Sequence, residues 1–412
     1  MNAPACRFCR APLTTDFVDL GDQPLANAYL TEAQLKAGTE RAYSLRTRVC
    51  GSCFLVQADD PVAAEHIFDD GYAYFSSYSP SWVAHAKRYA EAMTARFGLG
   101  PQSLVVEVAS NDGYLLQHFK ALGVPVLGVE PTANTAEAAI ERGVPTRVMF
   151  FNAASAQALA GEGVAADLMA GNNVLAHVPD IGDFVAGFPI VLKPEGVLTF
   201  EFPHLLNLID LVQFDTIYHE HYSYLSLLAV EKVLRANGLR PFDVELLPTH
   251  GGSLRLFSCH MDAGHAETQA LCDLRAREAE AGLADLATYR GFTERVEAVR
   301  DSFLAFLAKA RAEGKVVAAY GAAAKGNTFL NYCGVTTHDI VASFDANPHK
   351  QNRYLPGTHV PIHAPERIKE IRPDYVVIMP WNLKDEIMEQ LAYIRDWGGR
   401  FVIASPETRV LD

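Results

Sequence analysis

At 412 residues the chain can hold two to three domains, each with an adequate core, and its apolar content of 49% is that of an ordinary globular protein. A net charge of −14 excludes nucleic acid as a partner, because nothing in that balance supplies the attraction a phosphate backbone needs. With no run of ~20 apolar residues and no basic-then-apolar start, the sequence predicts a soluble, cytoplasmic protein with no membrane contact.

Seven cysteines, an odd number, argue against a disulfide framework. Cys6-Arg7-Phe8-Cys9 and Cys50-Gly51-Ser52-Cys53 form two C-x-x-C knuckles, each able to aim two thiolates at one tetrahedral ion. Cys6, Cys9, Cys50 and Cys53 together would close the coordination shell, which predicts a structural zinc ion rather than a catalytic one; a redox pair or a DNA-binding finger are the alternatives. The gap between the pairs exceeds the usual ribbon spacing, so LGDQPLANAYL and AYSLRTRV should build a small sheet of their own inside a module spanning 1–70. Cys259, Cys272 and Cys333 read as buried or idle thiols. Next comes a loop dense in hydroxyls, with Tyr72, Tyr74 and Tyr78 as packing lids or a substrate-facing wall. Ser79 can cap, and Pro80 begin, a helix whose apolar stripe is Val83, Ala86, Tyr89 or Ala90, Met93 and Phe97.

From residue 104 the chain reads LVVEVASNDGYLL: a buried strand, a tight small-residue turn and a helix start, which presents backbone N–H groups to a polar or anionic ligand. Glu107, Ala109, Asn111 and Gly113 stand where the E-x-G-x-G-x-G loop of class I S-adenosylmethionine (SAM) methyltransferases would lie, with only the last glycine kept. A second apolar run ends in Glu130, where an α/β nucleoside site holds an acid for the ribose hydroxyls, and Pro131 opens a helix. The segment 167–179 resembles the fourth strand of that fold, with Asn172, Asn173 and His177 at its carboxyl end. Strands and helices alternate as far as Phe200, the pattern of a doubly wound sheet.

Residues 215–224, DTIYHEHYSY, are too polar for a core strand. If extended, Glu220 and Tyr222 oppose His219 and His221; if helical, Tyr218 aligns with His221 and Tyr222. Either arrangement gives His221 phenol or carboxylate neighbours that could tune its pKa toward neutrality, as a general base requires. A zinc site on His219 and His221 is the alternative.

Residues 262–313 should form two or three long helices. A second α/β unit follows: a strand runs into Gly321-Ala-Ala-Ala-Lys-Gly-Asn, and a later strand ends in Asp345. These are the stations of a dinucleotide fingerprint with Ala323 in place of the middle glycine, so an NAD(P)-dependent oxidoreductase is the rival reading, although Lys325 suggests a charged contact instead.

Taken together, the four-cysteine module, VEVASNDGYLL, NNVLAHVP, YHEHYSY, HGGSLR (250–255) and GAAAKGN resemble, over the whole chain, the sugar C-methyltransferases that methylate keto forms of nucleotide-linked deoxysugars. The resemblance implies an N-terminal zinc module, a central class I SAM domain (71–250) and a C-terminal Rossmann-like domain (251–412). It implies SAM at Glu107, Ala109, Ser110, Asn111, Gly113, Glu130, Asn172 and Asn173. It makes His221 the base beside the ketone, with His177, Tyr218, Glu220, Tyr222 and a loop tyrosine near Tyr72 around the sugar. Lys325, Asn327 and Asp345 would contact the nucleotide-linked sugar, expected to be dTDP-linked. Methyl transfer to carbon needs that carbon made nucleophilic through an enolate, hence a base and a donor for the oxyanion; His177 or a tyrosine hydroxyl suits the second role. The nucleotide, the methylated carbon (3 or 5), the pathway and the oligomeric state, a monomer included, stay open.

Overall fold

The computed structural model describes residues 4–59 and 75–411. Tyr72 and Tyr74 lie outside the described residues. The N-terminal region supplies β1 (Thr15–Pro24), β2 (Ala42–Val49) and β3 (Val56–Ala58). The middle region supplies β4 (Val105–Val108), β5 (Val126–Glu130), β6 (Thr146–Val148), β7 (Ala166–Asn172), β8 (Leu192–Pro203), β9 (Ser223–Tyr224), β10 (Leu239–Leu247) and β11 (Ser253–His260). The C-terminal region adds β12 (Val317–Tyr320), β13 (Ser343–Phe344), β14 (Ile362–His363), β15 (Tyr375–Ile378), β16 (Arg400–Ile403) and β17 (Arg409–Leu411).

The two segments between the knuckles do form a sheet, as expected, but its fourth strand is borrowed. Its order is β1-β2-β3-β9, so the chain immediately after His221 is stitched to the N-terminal module. On β2, Leu45, Thr47 and Val49 alternate inward at the period of a strand with one covered face.

The middle sheet has the order β10-β11-β8-β7-β4-β5-β6, parallel except for β11. Its central strand β4 is buried at every position, which is why it reads as a continuous apolar run broken only by Glu107. A boundary at residue 250 falls in the turn of the β10–β11 hairpin, and both strands of that hairpin belong to this sheet. Against it lies the helix Pro80–Phe97, capped by Ser79 with Pro80 in its first turn and burying Ala86, Tyr89, Ala90 and Met93.

Three helices, Gln269–Glu280, Ala287–Arg290 and Phe292–Ala312, occupy the predicted helical stretch. The longest buries Phe292, Val296, Val299, Phe303, Leu307 and Ala310, a stripe at helical spacing. Phe292 stacks on Phe17 of β1 at 4.3 Å and 6°, so this helix joins the N-terminal sheet and the C-terminal lobe in one core. A fully buried ring contributes roughly 1.5–3 kcal/mol. The C-terminal sheet has the order β14-β13-β12-β15-β16-β17, parallel except for β17.

Candidate active site

The four knuckle thiols converge as predicted: Cys6 and Cys53 sulfurs are 3.6 Å apart, Cys9 and Cys50 sulfurs 3.4 Å, and all four lie within 4.8 Å of one another. Zn–S bonds of about 2.3 Å in a tetrahedron put sulfurs roughly 3.8 Å apart, so the donor set fits zinc. The knuckles are conformational copies. Arg10 and Phe54 each take a left-handed φ (63° and 62°) and donate N–H to the carbonyl of the first cysteine of the pair, at 3.0 Å in both. Gln57 Nε2 (3.2 Å to Cys6 Sγ) and Ser52 N–H (3.4 Å to Cys50 Sγ) further stabilise thiolate charge. Among the described residues this is the one cluster of three or more metal-ligating side chains, so the alternative of a metal site on His219 and His221 is not borne out.

Zinc geometry reaches the chemistry through the backbone. Arg7, inside the first knuckle, donates to the Pro179 carbonyl at 2.8 Å and the Ala58 carbonyl at 2.7 Å, and its guanidinium lies over the Tyr222 ring. Tyr222 N–H donates to Ala176 O at 2.8 Å, while its carbonyl accepts from Ala58 at 3.0 Å. The polar segment is thereby held between the zinc module and the short turn Leu175–His177.

At the carboxyl end of β4, Ala109, Asn111 and Gly113 have φ of 57°, 48° and 77°. All three glycine positions of the expected loop keep the left-handed backbone although two carry side chains, a strain that persists only where the surroundings demand it. Glu130 at the end of β5 accepts from Asn111 N–H at 2.9 Å and from Thr132 N–H at 3.0 Å. A Cβ on Gly128 would stand 2.5 Å from Ser110 Oγ, so strand and loop can meet this closely only at a glycine. Burial raises the Glu107 carboxyl well above the carboxylate range, with the Tyr114 hydroxyl beside it. Both Glu107 oxygens, Ser110 Oγ, Asn172 Oδ1 and Asn173 Oδ1 are buried without a protein hydrogen bond. A polar cradle of unmet acceptors and hydroxyls under a loop of this conformation suits the amino-acid and ribose ends of SAM. Asn111 Oδ1 accepts from Ser76 N–H at 2.8 Å, tying the segment before the helix Pro80–Phe97 to the loop.

After the single helical turn Phe214–Thr216, the DTIYHEHYSY stretch is neither strand nor helix from Ile217 to Tyr222. His221 N–H bonds to Tyr218 O at 2.8 Å, a tight turn that brings the Tyr218 and His221 rings to 4.0 Å. His221 Nδ1 lies 2.8 Å from Thr216 O and His177 Nδ1 lies 2.8 Å from Glu220 O. A carbonyl only accepts, so in both rings Nδ1 carries the proton and Nε2 presents a lone pair. The two rings meet edge to face at 4.6 Å. His250, with φ 53° in the turn between β10 and β11, accepts from Asn173 Nδ2 at 3.2 Å.

These arrangements correct three expectations. Glu220 does not orient His221; its carboxylate accepts from the Asn27 amide at 2.7 and 2.9 Å, and burial pushes its pKa up to about 7. His221 is tuned by burial rather than by a carboxylate or phenol: desolvation, then His177, hold it well below the ordinary histidine value. His177 cannot serve as oxyanion donor through Nε2, because its proton is engaged at Nδ1. Burial lowers both His177 and His250 to about 4, so all three imidazoles are neutral at pH 7. His219 is fastened elsewhere, to Tyr43 O on β2.

The C-terminal lobe turns the carboxyl end of β12 to the same place. Lys325 lies over the Trp381 ring at 5.3 Å and donates to His250 O at 3.4 Å, and Trp381 Nε1 donates to Asp215 at 2.7 Å. The other two residues expected to contact substrate are engaged in the fold. Asn327 donates to Ala26 O, and Asp345 accepts from Ala322 N–H at 2.7 Å and Asn347 N–H at 2.8 Å. The Ala322 carbonyl is covered by the Tyr29 hydroxyl at 2.5 Å and Lys350 at 2.8 Å. A Cβ on Gly321 would meet the Pro380 ring at 2.4 Å, so the dinucleotide alternative finds this loop closed where a pyrophosphate would approach.

Sequence reasoning missed Asn27, Tyr29, Asp215 and Trp381, and Trp82, whose ring packs on His85, Tyr114 and His250 at 4.9, 5.9 and 5.3 Å. Asp215 at least opens the polar run DTIYHEHYSY, and His250, given no role of its own, stood in HGGSLR as a histidine beside two glycines.

Three family models match the chain: a zinc binding domain over residues 6–68, a methyltransferase domain over 82–244 and a C-methyltransferase C-terminal domain over 248–406. The C-methyltransferase NovU of Streptomyces niveus is 35% identical over 406 residues, covering 98% of this chain and 96% of that one. The chain belongs to the C-methyltransferase family. It is a SAM-dependent C-methyltransferase with a zinc-binding module at its N-terminus. A ubiquinone biosynthesis O-methyltransferase from a Chelativorans strain is 27% identical over 129 residues, 29% of this C-methyltransferase and 50% of that enzyme. The 1,6-didemethyltoxoflavin-N1-methyltransferase of Burkholderia thailandensis superposes with a TM-score of 0.37 at 21% identity, covering 50% of this chain and 95% of that one. Among the described residues no helix is long and apolar enough to cross a membrane.

Proposed function

We propose that this C-methyltransferase methylates the carbon beside the ketone of a nucleotide-linked 4-keto-deoxysugar, dTDP being the expected nucleotide, with His221 as the base. The observation that carries the reading is the fixed tautomer of His221. Its Nδ1–H is held by Thr216 O at 2.8 Å, so Nε2 is free to take a proton, and burial keeps the ring neutral before it does. Bound SAM supplies an electrophilic methyl group; Glu130, Ser110, Asn172 and Asn173 hold it from the ends of β4, β5 and β7. His177, fixed to Glu220 O, and Tyr218, packed on His221, line the sugar side; the tyrosine that the family resemblance adds is Tyr72, or Tyr74 or Tyr78 in its place. Lys325 approaches from the opposite lobe, with Asn327 and Asp345 beneath it. The division of labour follows: a zinc module over 1–70, a SAM domain over 71–250 with β11 counted in the sheet where it pairs, and a C-terminal domain that closes on the nucleotide-linked sugar. Four thiolates kept reduced for zinc fit a cytoplasmic enzyme.

The experiment offers SAM and a panel of nucleotide 4-keto-6-deoxysugars and reads products by mass spectrometry. One of them should gain the mass of one methylene on carbon. Methyl found on oxygen, or no product from any keto-sugar, refutes the reading.

A further inference from the structure

Removing a proton beside a ketone leaves a negative charge on the carbonyl oxygen, and that charge needs a donor in place before the proton leaves. Three imidazoles line the site, but His177 and His221 have their N–H groups engaged by Glu220 O and Thr216 O, and His250 Nε2 accepts from Asn173. The Nε2 atoms of His177 and His221 offer lone pairs, which repel an oxyanion, and the Nε2 lone pair of His250 is spent on Asn173. The base is well provided for; a charged donor must come from elsewhere.

Lys325, in the first turn of the helix Ala324–Tyr332, is placed to supply it. Among the described residues it makes no ion pair, and its hydrogen bond to His250 O is long at 3.4 Å, which leaves donors to spare. The ammonium nonetheless sits in an arranged field. Asp215, buried and bonded to Trp381 Nε1 at 2.7 Å, has its Oδ1 without a partner, and Trp381 presents its ring to Lys325 at 5.3 Å. Asp215 and Thr216 are neighbours in the turn Phe214–Thr216, so one turn fixes the base through a carbonyl and faces the ammonium with a carboxylate. Lys325 is tied by the His250 carbonyl and by the Trp381 ring to the side of the site where Thr216 holds His221.

We infer that Lys325 is a catalytic residue, donating from Nζ to the enolate oxygen as His221 Nε2 takes the adjacent proton. This rests on the keto-sugar reading above. The C–H bond breaks, its electron pair forms the C=C bond, and the carbonyl π pair moves to oxygen, where Lys325 meets the charge. The enolate carbon then takes the methyl group, the carbonyl re-forms, SAM leaves as neutral S-adenosylhomocysteine, and His221 returns its proton to solvent.

The test uses the full chain and whichever keto-sugar of the panel the wild type methylates, comparing Lys325→Met, Lys325→Arg and Tyr218→Phe. With S-adenosylhomocysteine in heavy water, wild type should wash deuterium into the carbon beside the ketone. Lys325→Met should slow both that exchange and kcat by about 100-fold, the usual loss of an oxyanion donor, with KM for the sugar and affinity for SAM little changed. Lys325→Arg should recover part of the rate. In Lys325→Met the acid limb of the kcat/KM profile should move to higher pH, since a cation beside His221 is removed while His177, His250 and Asp215 stay; a merely structural lysine would not move it. Unchanged exchange overturns the inference, as does a rise in KM with kcat retained, which would assign Lys325 to the diphosphate. Exchange lost in Tyr218→Phe but kept in Lys325→Met gives the role to the phenol. A wild type that neither exchanges nor methylates any keto-sugar brings down the functional reading itself, and this inference with it.

Discussion

The middle and C-terminal sheets are the same design put to opposite use. Starting from the sheet edge, β6-β5-β4-β7-β8 and β14-β13-β12-β15-β16 follow one order, and an antiparallel strand comes next in each, β11 with β10 beyond it in the middle sheet and β17 at the edge of the other. Both end the second strand in an acid with the same pair of contacts, one to the first loop and one two residues on: Glu130 with Asn111 and Thr132, Asp345 with Ala322 and Asn347. They part at the first loop. After β4 three residues take left-handed φ over a cradle of unmet polar atoms; after β12 the loop is covered by Tyr29, Lys350 and Pro380. Topology sets where a ligand can bind, and the covering of one turn decides whether it does.

The most severe way to break this contrast is through zinc, because the N-terminal module supplies both the Tyr29 that covers the second loop and the β3 that pairs with β9 just after His221. Thiolate sites of this kind couple metal binding to folding. Cys6→Ser or Cys50→Ser should lose zinc and soluble expression together. Soluble, fully active protein without bound metal would separate the module from the site.

Next in size is the base. His221→Asn should lower methylation by at least ~10²-fold and abolish deuterium wash-in, whereas His219→Asn, whose ring only fastens to Tyr43 O, should be milder. Near-normal turnover by His221→Asn would remove this histidine from the mechanism.

The contrast itself is sharpened by the matched pair Glu130→Ala and Asp345→Ala. The first should weaken SAM binding by roughly 1–3 kcal/mol, the cost of leaving polar partners unmet, read by calorimetry. The second should leave SAM affinity unchanged and lower the unfolding free energy by a similar ~1–3 kcal/mol, since Asp345 ties the Ala322 loop to its own and pairs with Lys350 within the C-terminal lobe. Equal losses of SAM affinity would mean that the second loop is not closed at all.

Much of this was legible in the chain, and the illegible part has a common physical cause. Apolar runs, the Ser79–Pro80 helix start, the paired cysteines and the small-residue turn after β4 are local signals, and each lies where the sequence put it. The roles of individual polar atoms are not local. Glu220 finds Asn27 across 193 residues and Tyr29 finds Ala322 across 293, and no periodicity marks either pair. The two-residue strand β9 has too little sequence to carry a pattern. Which imidazole nitrogen bears the proton depends on a carbonyl several residues or a whole strand away, so DTIYHEHYSY marked a candidate site but not which ring nitrogens carry protons.

The smallest effect isolates Glu220, which meets Asn27 of the N-terminal module from the turn that carries His221. Its folded pKa of about 7 lies above the ordinary 4.5 because burial penalises the charge, which the Asn27 amide and Lys350 only partly offset. Between those values the folded state holds the proton more tightly than the unfolded chain, so this group's contribution to stability is greatest below pH 4.5 and is lost as pH rises toward 7. His177 and His250, lowered to about 4, have the opposite sign: they favour the fold above 6.5, and that stability is lost as pH falls toward 4. Across this window the slope from Glu220 opposes the slope from the imidazoles. Glu220→Gln keeps the amide contact at nearly the same shape and removes one of them. Its unfolding free energy, followed by denaturant titration, should rise with pH relative to wild type between pH 5 and 7, by about 1 kcal/mol per pH unit at the steepest. Parallel curves for the two proteins would mean that Glu220 is ionised in the folded enzyme throughout, and that Asn27 and Lys350 hold a charge rather than a neutral acid.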